Sequence, residues 1–179
     1  LGHAARFLSA RLDKPQFQGN WVAHRYAWCR NRTVEYASGA PVIYLGGAKQ
    51  VIAHALAGGH VVAALYDVPA SQTHSTLRTR VCGRIVELPA GLASLAAATA
   101  VPVVPFAMGL DYQSGRRRLL IEEPFLPANA QDFADRLAAS LTRLVGQDTS
   151  AWHSSGYAPE FFAADIAASA AGVNENRSD

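Results

Sequence analysis

The residues best suited to chemistry lie at and after Asp67. The apolar run 60–66 ends at Asp67, which predicts a buried strand with a carboxylate at its carboxyl end. Ligands of open α/β sheets bind outside that end of the strands. The polar segment 71–80 follows and contains His74, which could do acid–base work as Asp67 could. Three nearby arginines could bind an anionic group of a substrate: Arg78, Arg80 and Arg84.

Each of these residues also has a purely structural interpretation. Asp67 suits the cap of a turn, and His74 suits an exposed loop. The three arginines suit a solvated surface. Both interpretations stay open, and the functional one predicts that Asp67 and at least one of the three arginines face a common cleft.

Two further clusters have roles that the sequence leaves open. Residues 116–118 are three consecutive arginines, which suit an exposed turn or contact with anionic lipid. Four aromatic residues lie near the C-terminus: Trp152, Tyr157, Phe161 and Phe162. They suit a helix packed on the core, or an apolar channel or membrane-facing patch.

Composition and motifs argue against several classes of function. The net charge is only +2, from 16 basic and 14 acidic residues, so we expect no nucleic-acid partner. The six histidines are scattered, and Cys29 and Cys82 lack metal-ligand spacing, so we expect no metal site. No glycine-rich phosphate loop follows a strand, so we expect no cofactor. No apolar run reaches the ~20 residues of a membrane-spanning helix.

The elements that must position these residues alternate between strand and helix. Apolar runs and alternation predict strands at 60–66, 80–88, 101–106 and 116–123. Helical periodicity predicts helices at 3–12, 48–57, 92–100, 130–146 and 157–170. This alternation indicates an α/β fold with a mostly parallel central sheet flanked by helices. Residues 60–66 and 102–107 should be neighbouring buried strands of that sheet.

The length of 179 residues and the 50% hydrophobic content fit one domain. We expect residues 1–170 to form it and residues 171–179 to be a frayed tail. An incomplete sheet would leave an exposed edge, for which association into a homo-oligomer would be a natural remedy.

The order of these pieces resembles a known family. Residues 55–69, ALAGGHVVAALYDVP, and then 80–106, RVCGRIVELPAGLASLAAATAVPVVPF, are similar to the late acyltransferases of lipid A biosynthesis. Those enzymes belong to the glycerolipid acyltransferase superfamily. Residues 116–124, the helix at 130–146 and the stretch containing Trp152 resemble the family's later parts. The resemblance therefore covers roughly residues 1–162.

This resemblance implies an acyltransferase that moves a fatty acyl group from acyl-carrier protein or acyl-CoA to a lipid or glycolipid hydroxyl. It also implies a glycerolipid-acyltransferase-like fold. The location implied is cytoplasmic, at the cytoplasmic face of the bacterial inner membrane, with peripheral membrane contact. The alternative is a non-catalytic relative that binds lipid or a protein partner.

The catalytic motif of the family is a His followed five residues later by an acid, where the His is the general base. None of the six histidines here has Asp or Glu at that spacing. Leu1-Gly2 resembles the pair that follows the motif, so we expect the chain to begin just after it. The family's Phe-Phe-Gly-like segment is Val81-Cys82-Gly83 here. We therefore expect little or no acyltransferase activity from these 179 residues, in which Asp67 and His74 are the catalytic candidates.

Overall fold

The structure is a computed structural model that describes residues 4–13, 19–148, 152, 156 and 158–166. The chain divides into two compact units, Leu1–Leu65 and Tyr66–Asp179. The single domain over 1–170 stays a prediction. The predicted tail at 171–179 and the Leu1-Gly2 pair lie outside the described residues.

The first unit is a small parallel sheet with two helices. Its elements are β1 (Ala5–Ser9), α1 (Trp21–Ser38), β2 (Ile43–Tyr44), α2 (Ala48–Ala57) and β3 (Val61–Ala63). The strand order is β2-β1-β3, and both pairings of β1 are parallel. Helix α1 begins at Asn20, whose side chain accepts a hydrogen bond from the amide of Ala23.

The predicted helix at 3–12 is wrong, because Ala5–Ser9 is the central strand β1. Residues Ala5 to Phe7 pair with β3, and Leu8 and Ser9 pair with β2. Such tertiary pairing overrides weak local helix propensity. The predicted helix at 48–57 is confirmed as α2, which ends at the Gly58-Gly59 pair.

The second unit combines two antiparallel hairpins with three helices. Its elements are a 3₁₀ turn (Ala70–Gln72), β4 (Thr76–Val81), β5 (Arg84–Pro89), α3 (Ala90–Thr99), β6 (Phe106–Asp111), β7 (Arg116–Ile121), α4 (Ala130–Gln147) and α5 (Ala158–Phe161). Strand β4 pairs with β5, and β6 pairs with β7. Two apolar clusters form the core of this unit, and Ala138 of α4 packs with Val86 and Leu88 in one of them. In the other, Phe133 of α4 packs against Ala93 and Ala96 of α3.

The predicted mostly parallel central sheet is wrong. The described strands form one three-stranded parallel sheet and two separate antiparallel pairs. The strand predicted at 60–66 is only Val61–Ala63, and Val61 is 53% exposed. The segment 102–107 is not its neighbour: β6 starts at Phe106 and pairs with β7, because Pro102 and Pro105 interrupt the run and cannot donate to a ladder.

The single strand predicted at 80–88 is also wrong, because this segment forms most of the hairpin β4–β5. The turn lies at Cys82 and Gly83, whose φ angles are 51° and 79°. Two consecutive positive φ angles are typical of the two-residue hairpin turn. The predicted helices at 92–100 and 130–146 correspond to α3 and α4, and the strand predicted at 116–123 is β7.

Candidate functional site

Asp67 is bound to an aromatic side chain from far along the sequence. Its Oδ2 accepts a hydrogen bond of 2.8 Å from Nε1 of Trp152. The Trp152 ring packs edge-to-face on Phe161 and Phe162, with ring centroids 5.3 and 6.2 Å apart. Both phenylalanines are buried. Three of the four C-terminal aromatic residues therefore pack in the core of the second unit, and Tyr157 lies outside the described residues.

Arg84 lies on the same aromatic cluster. Its guanidinium carbon is 4.4 Å from the ring centroid of Phe162, and its Nε donates to Oδ2 of Asp165 at 3.0 Å. The other oxygen of Asp165 accepts from the backbone amide of Ile85 at 3.0 Å. The Ile85 amide and the Arg84 guanidinium hold the pKa of the Asp165 carboxyl below its usual range. Through Asp165, Arg84 and Ile85 thus connect the residues that follow α5 to the start of β5.

The other two arginines have different surroundings. Arg80 donates from Nη1 to the carbonyl oxygen of Gly83 at 3.0 Å and so braces the turn of its own hairpin. Arg78 lies opposite Glu87 in the β4–β5 register, and its Nη2 is 3.4 Å from Oε1 of Glu87. The Arg78 side chain is largely exposed, so its pairing with Glu87 is weak and leaves most of the guanidinium accessible.

A shallow cavity of about 350 Å³ lies between the hairpin β4–β5 and α5. Its lining residues are Ala70, Arg78, Glu87, Glu160, Phe161, Ala163 and Ala164. Phe161 and the alanines make an apolar wall, and Arg78 places one cation beside it. Asp67 does not line this cavity, and the contacts that connect Asp67 to Arg84 run through the rings of Trp152 and Phe162.

His74 is exposed in the bend before β4 and makes no hydrogen bond with the described residues. In that part of the chain, no hydrogen bond joins His54, His60 or His74 to a carboxylate, which is the pairing a His–acid base needs. His3 and His153 lie outside it. Within the same residues, no group of three or more His, Cys, Asp or Glu side chains could hold a metal ion.

Tyr66 is a residue that the sequence analysis missed. Its hydroxyl is buried and has no hydrogen-bond partner among the described residues, while its ring packs edge-to-face on Phe133 at 5.1 Å. Burial, with a smaller effect of Asp135, raises the pKa of this phenol well above its usual value. From the sequence, Tyr66 could be identified only as the last residue of the apolar run 60–66, and nothing there indicated a buried hydroxyl.

Glu87 and Glu160 were also missed, since neither belongs to a recognisable motif. Glu87 faces Arg78 only because the chain turns at Cys82-Gly83, and Glu160 reaches the cavity only because α5 lies beside the hairpin.

Among the described helices, none combines the length and apolarity needed to cross a membrane. No model of a known protein family matches the chain, and no curated protein matches it significantly.

Proposed function

We propose that this chain is an acyltransferase-type protein that binds an acyl thioester, the acyl group lying in the cavity beside Arg78. One observation carries the proposal: a single cavity combines an accessible guanidinium with an apolar wall made by Phe161, Ala163 and Ala164. An anionic amphiphile needs both, because its charged group requires a cation and its chain requires removal from water. The order of sequence segments that resembles the lipid A acyltransferases supports the same class of ligand.

Acyl transfer would proceed by attack of an acceptor hydroxyl on the thioester carbonyl. The new C–O bond forms, the C–S bond breaks, and the hydroxyl proton passes through a base to the leaving thiolate. No His of the sequence has an acid five residues later, and His74 has no carboxylate partner among the described residues. Binding is therefore the part of the reaction that these residues support best.

The second candidate is a non-catalytic relative that binds the same amphiphile. The exposed His74 favours it, since this imidazole has no carboxylate partner among the described residues to orient it, and an unoriented imidazole is a poor general base. On either proposal the acceptor or ligand is a lipid or glycolipid. We also propose a location at the cytoplasmic face of a bacterial inner membrane, which the resemblance supports.

Binding is tested by titrating the protein with lauroyl-CoA and with CoA alone in a calorimeter. We expect lauroyl-CoA to bind more tightly than CoA, and Arg78→Gln to weaken it about tenfold, since a hydrogen bond to a charged group contributes ~1.5 kcal/mol or more. Arg80→Gln is the matched control, because Arg80 braces its own turn, and it should change affinity less than twofold. Equal weakening by both variants, or no binding of lauroyl-CoA, contradicts the proposed site.

Catalysis is tested separately by thiol release from lauroyl-CoA and lauroyl-acyl-carrier protein, with a lipid hydroxyl acceptor present. We expect no release above the uncatalysed rate, because loss of a general base costs ~10²–10⁴-fold. Release at an enzymatic rate would establish a base within these residues, and His74→Ala would then show whether His74 provides it. Tight binding without release agrees with both candidates, whereas release at an enzymatic rate would contradict the non-catalytic one.

A further inference from the structure

The hairpin β6–β7 exposes an apolar face. Facing residues of an antiparallel pair share one side of the ribbon, and here the pairs are Phe106 with Ile121, Met108 with Leu119, and Leu110 with Arg117. We call this side the hairpin face. Its five apolar side chains are between 38% and 64% exposed. An open side of an antiparallel sheet is normally polar, and a contiguous apolar patch marks an interaction surface.

The charge on the hairpin face itself is positive, while two glutamates, Glu122 and Glu123, follow Ile121 at its base, where Glu122 is paired with Arg143. Arg117 is the only charged residue of the face, with Nη1 3.9 Å from the Met108 sulfur. Arg116 and Arg118 lie on the other side of the same strand, and all three arginines are exposed near the hairpin tip. Asp111 also lies on that other side, where its carboxylate accepts hydrogen bonds from the turn amides of Gln113 and Ser114. The face is therefore apolar at its base and cationic at its tip.

This distribution favours an anionic lipid surface over a second copy of the chain. In a two-fold dimer each copy contributes the same patch, so two arginine tips would enter one interface, and the exposed Glu123 at the base of each copy would offset only part of that positive charge. A bilayer surface offers the complementary pair of environments: acyl chains for the apolar residues and phosphates for the guanidinium groups.

We propose that the hairpin face docks the protein on membranes that carry anionic phospholipid. Phe106, Met108, Leu119 and Ile121 enter the boundary between headgroups and acyl chains, while Arg116, Arg117 and Arg118 contact lipid phosphates. This inference does not depend on the acyl-binding cavity, since no residue of the hairpin face lines that cavity.

The first test measures sedimentation of the full chain with vesicles. One set is phosphatidylcholine alone, and the other is phosphatidylcholine and phosphatidylglycerol in equal parts. We expect binding to the anionic vesicles, reduced on the order of 100-fold by the triple variant Arg116→Gln/Arg117→Gln/Arg118→Gln, because each basic residue near the surface contributes about fivefold. Circular dichroism of each variant checks that it is folded.

The matched control is the triple variant Arg25→Gln/Arg30→Gln/Arg32→Gln in α1. It removes the same charge from a helix that also exposes aromatic rings, Trp21, Tyr26 and Tyr36 among them. We expect this variant to keep most of the binding. If it loses binding as much as the hairpin variant, general charge or α1 accounts for the attraction, and the proposal is overturned.

A second measurement locates the contact. In a Cys29→Ser/Cys82→Ser background, a nitroxide is attached at Met108→Cys or, as control, at Lys49→Cys in α2. On adding anionic vesicles, the label at position 108 should become more accessible to oxygen and less accessible to a nickel chelate, whereas the label at 49 should not change. Unchanged accessibility at 108 overturns the proposal, as would a concentration-dependent dimer that Met108→Ser/Leu119→Ser abolishes.

Discussion

The indole nitrogen of Trp152 donates a 2.8 Å hydrogen bond to the carboxylate of Asp67, joining residues 85 apart in the chain. The Asp67 carboxylate was a catalytic candidate in the sequence. This hydrogen bond holds it at the edge of an aromatic cluster. A carboxylate held in this way orients a side chain of its own protein. The first expectation to test is therefore about stability rather than rate.

Replacing Asp67 by Ala should destabilise the protein by ~1–3 kcal/mol, because the indole N–H loses its acceptor in a partly buried place. Asp67→Asn keeps a carbonyl oxygen that can accept this bond and should retain most of the stability. Urea unfolding followed by circular dichroism measures the difference. His74→Ala, at an exposed position, serves as control and should stay within ~0.5 kcal/mol of the parent. Equal losses for the Ala and Asn variants would show that the hydrogen bond is not what matters.

Tyr66→Phe should leave stability unchanged or raise it by ~1–2 kcal/mol. The variant keeps the edge-to-face contact with Phe133 and removes a buried hydroxyl that has no partner among the described residues. Thermal and urea unfolding provide the measurement, with Tyr112→Phe as a control at an exposed tyrosine. A loss above ~1 kcal/mol in Tyr66→Phe alone would mean that the hydroxyl is hydrogen-bonded in solution.

The ion pair of Asp165 should make stability depend on acid pH. Its pKa in the folded protein lies below the ordinary 3.8, because the Ile85 amide and Arg84 favour the charged form. The unfolded chain then binds more protons around that pH, so this contribution is complete above pH 3.8 and is lost as pH falls through the lower folded pKa. Unfolding free energies measured between pH 6 and 2.5 should decline less steeply for Asp165→Asn than for the exposed control Glu123→Gln.

Glu122 should also make the protein less stable as the pH falls. Burial raises its pKa, but hydrogen bonds from Arg143 and Ser140 outweigh that effect, and the net pKa lies below the usual 4.5. An Asp165→Asn variant will therefore retain part of the acid sensitivity. A pH profile identical to that of the parent would contradict the assignment of Asp165.

Glu87→Gln should strengthen binding of lauroyl-CoA severalfold. The Glu87 carboxylate lies 3.4 Å from Arg78 on the lining of the cavity, where it competes with the ligand for the guanidinium and repels a phosphate. The gain should shrink as salt increases, since exposed charges are screened. Glu123→Gln again controls for the change in net charge, and comparable gains in both variants would argue against the cavity.

The elements predicted correctly are those with a strong local signal. Helix α4 has an apolar stripe and a side-chain cap at Asn129, and α2 has a glycine pair at its end. The segment Ala5–Ser9 has no local pattern that indicates a strand. It becomes one by pairing with β2 and β3, which are distant in sequence. The hairpin β4–β5 was missed because Cys82 occupies a position with positive φ that usually takes Asn, Asp or Gly.

The candidate site was predicted in part for the same reason. Arg78 could be picked out as a cation after an apolar strand, and the structure places it on a cavity. Its partner Glu87 and the wall formed by Phe161 depend on the hairpin register and on the position of α5, neither of which has a local pattern. Likewise, only the pairing of β6 with β7 shows that the apolar residues of both strands share one side.

The backbone amide of Ile85 can report detachment of the segment that contains Asp165, a motion in which the β4–β5 ladder stays closed. Its acceptor is the Asp165 side chain beyond α5, whereas α4 is tied to the hairpin by other bonds, such as Thr79 to Asp135 at 2.6 Å. Detachment of the C-terminal segment would expose that one amide without opening the β4–β5 ladder. Its hydrogen-exchange rate therefore measures the free energy of this local opening, separate from global unfolding.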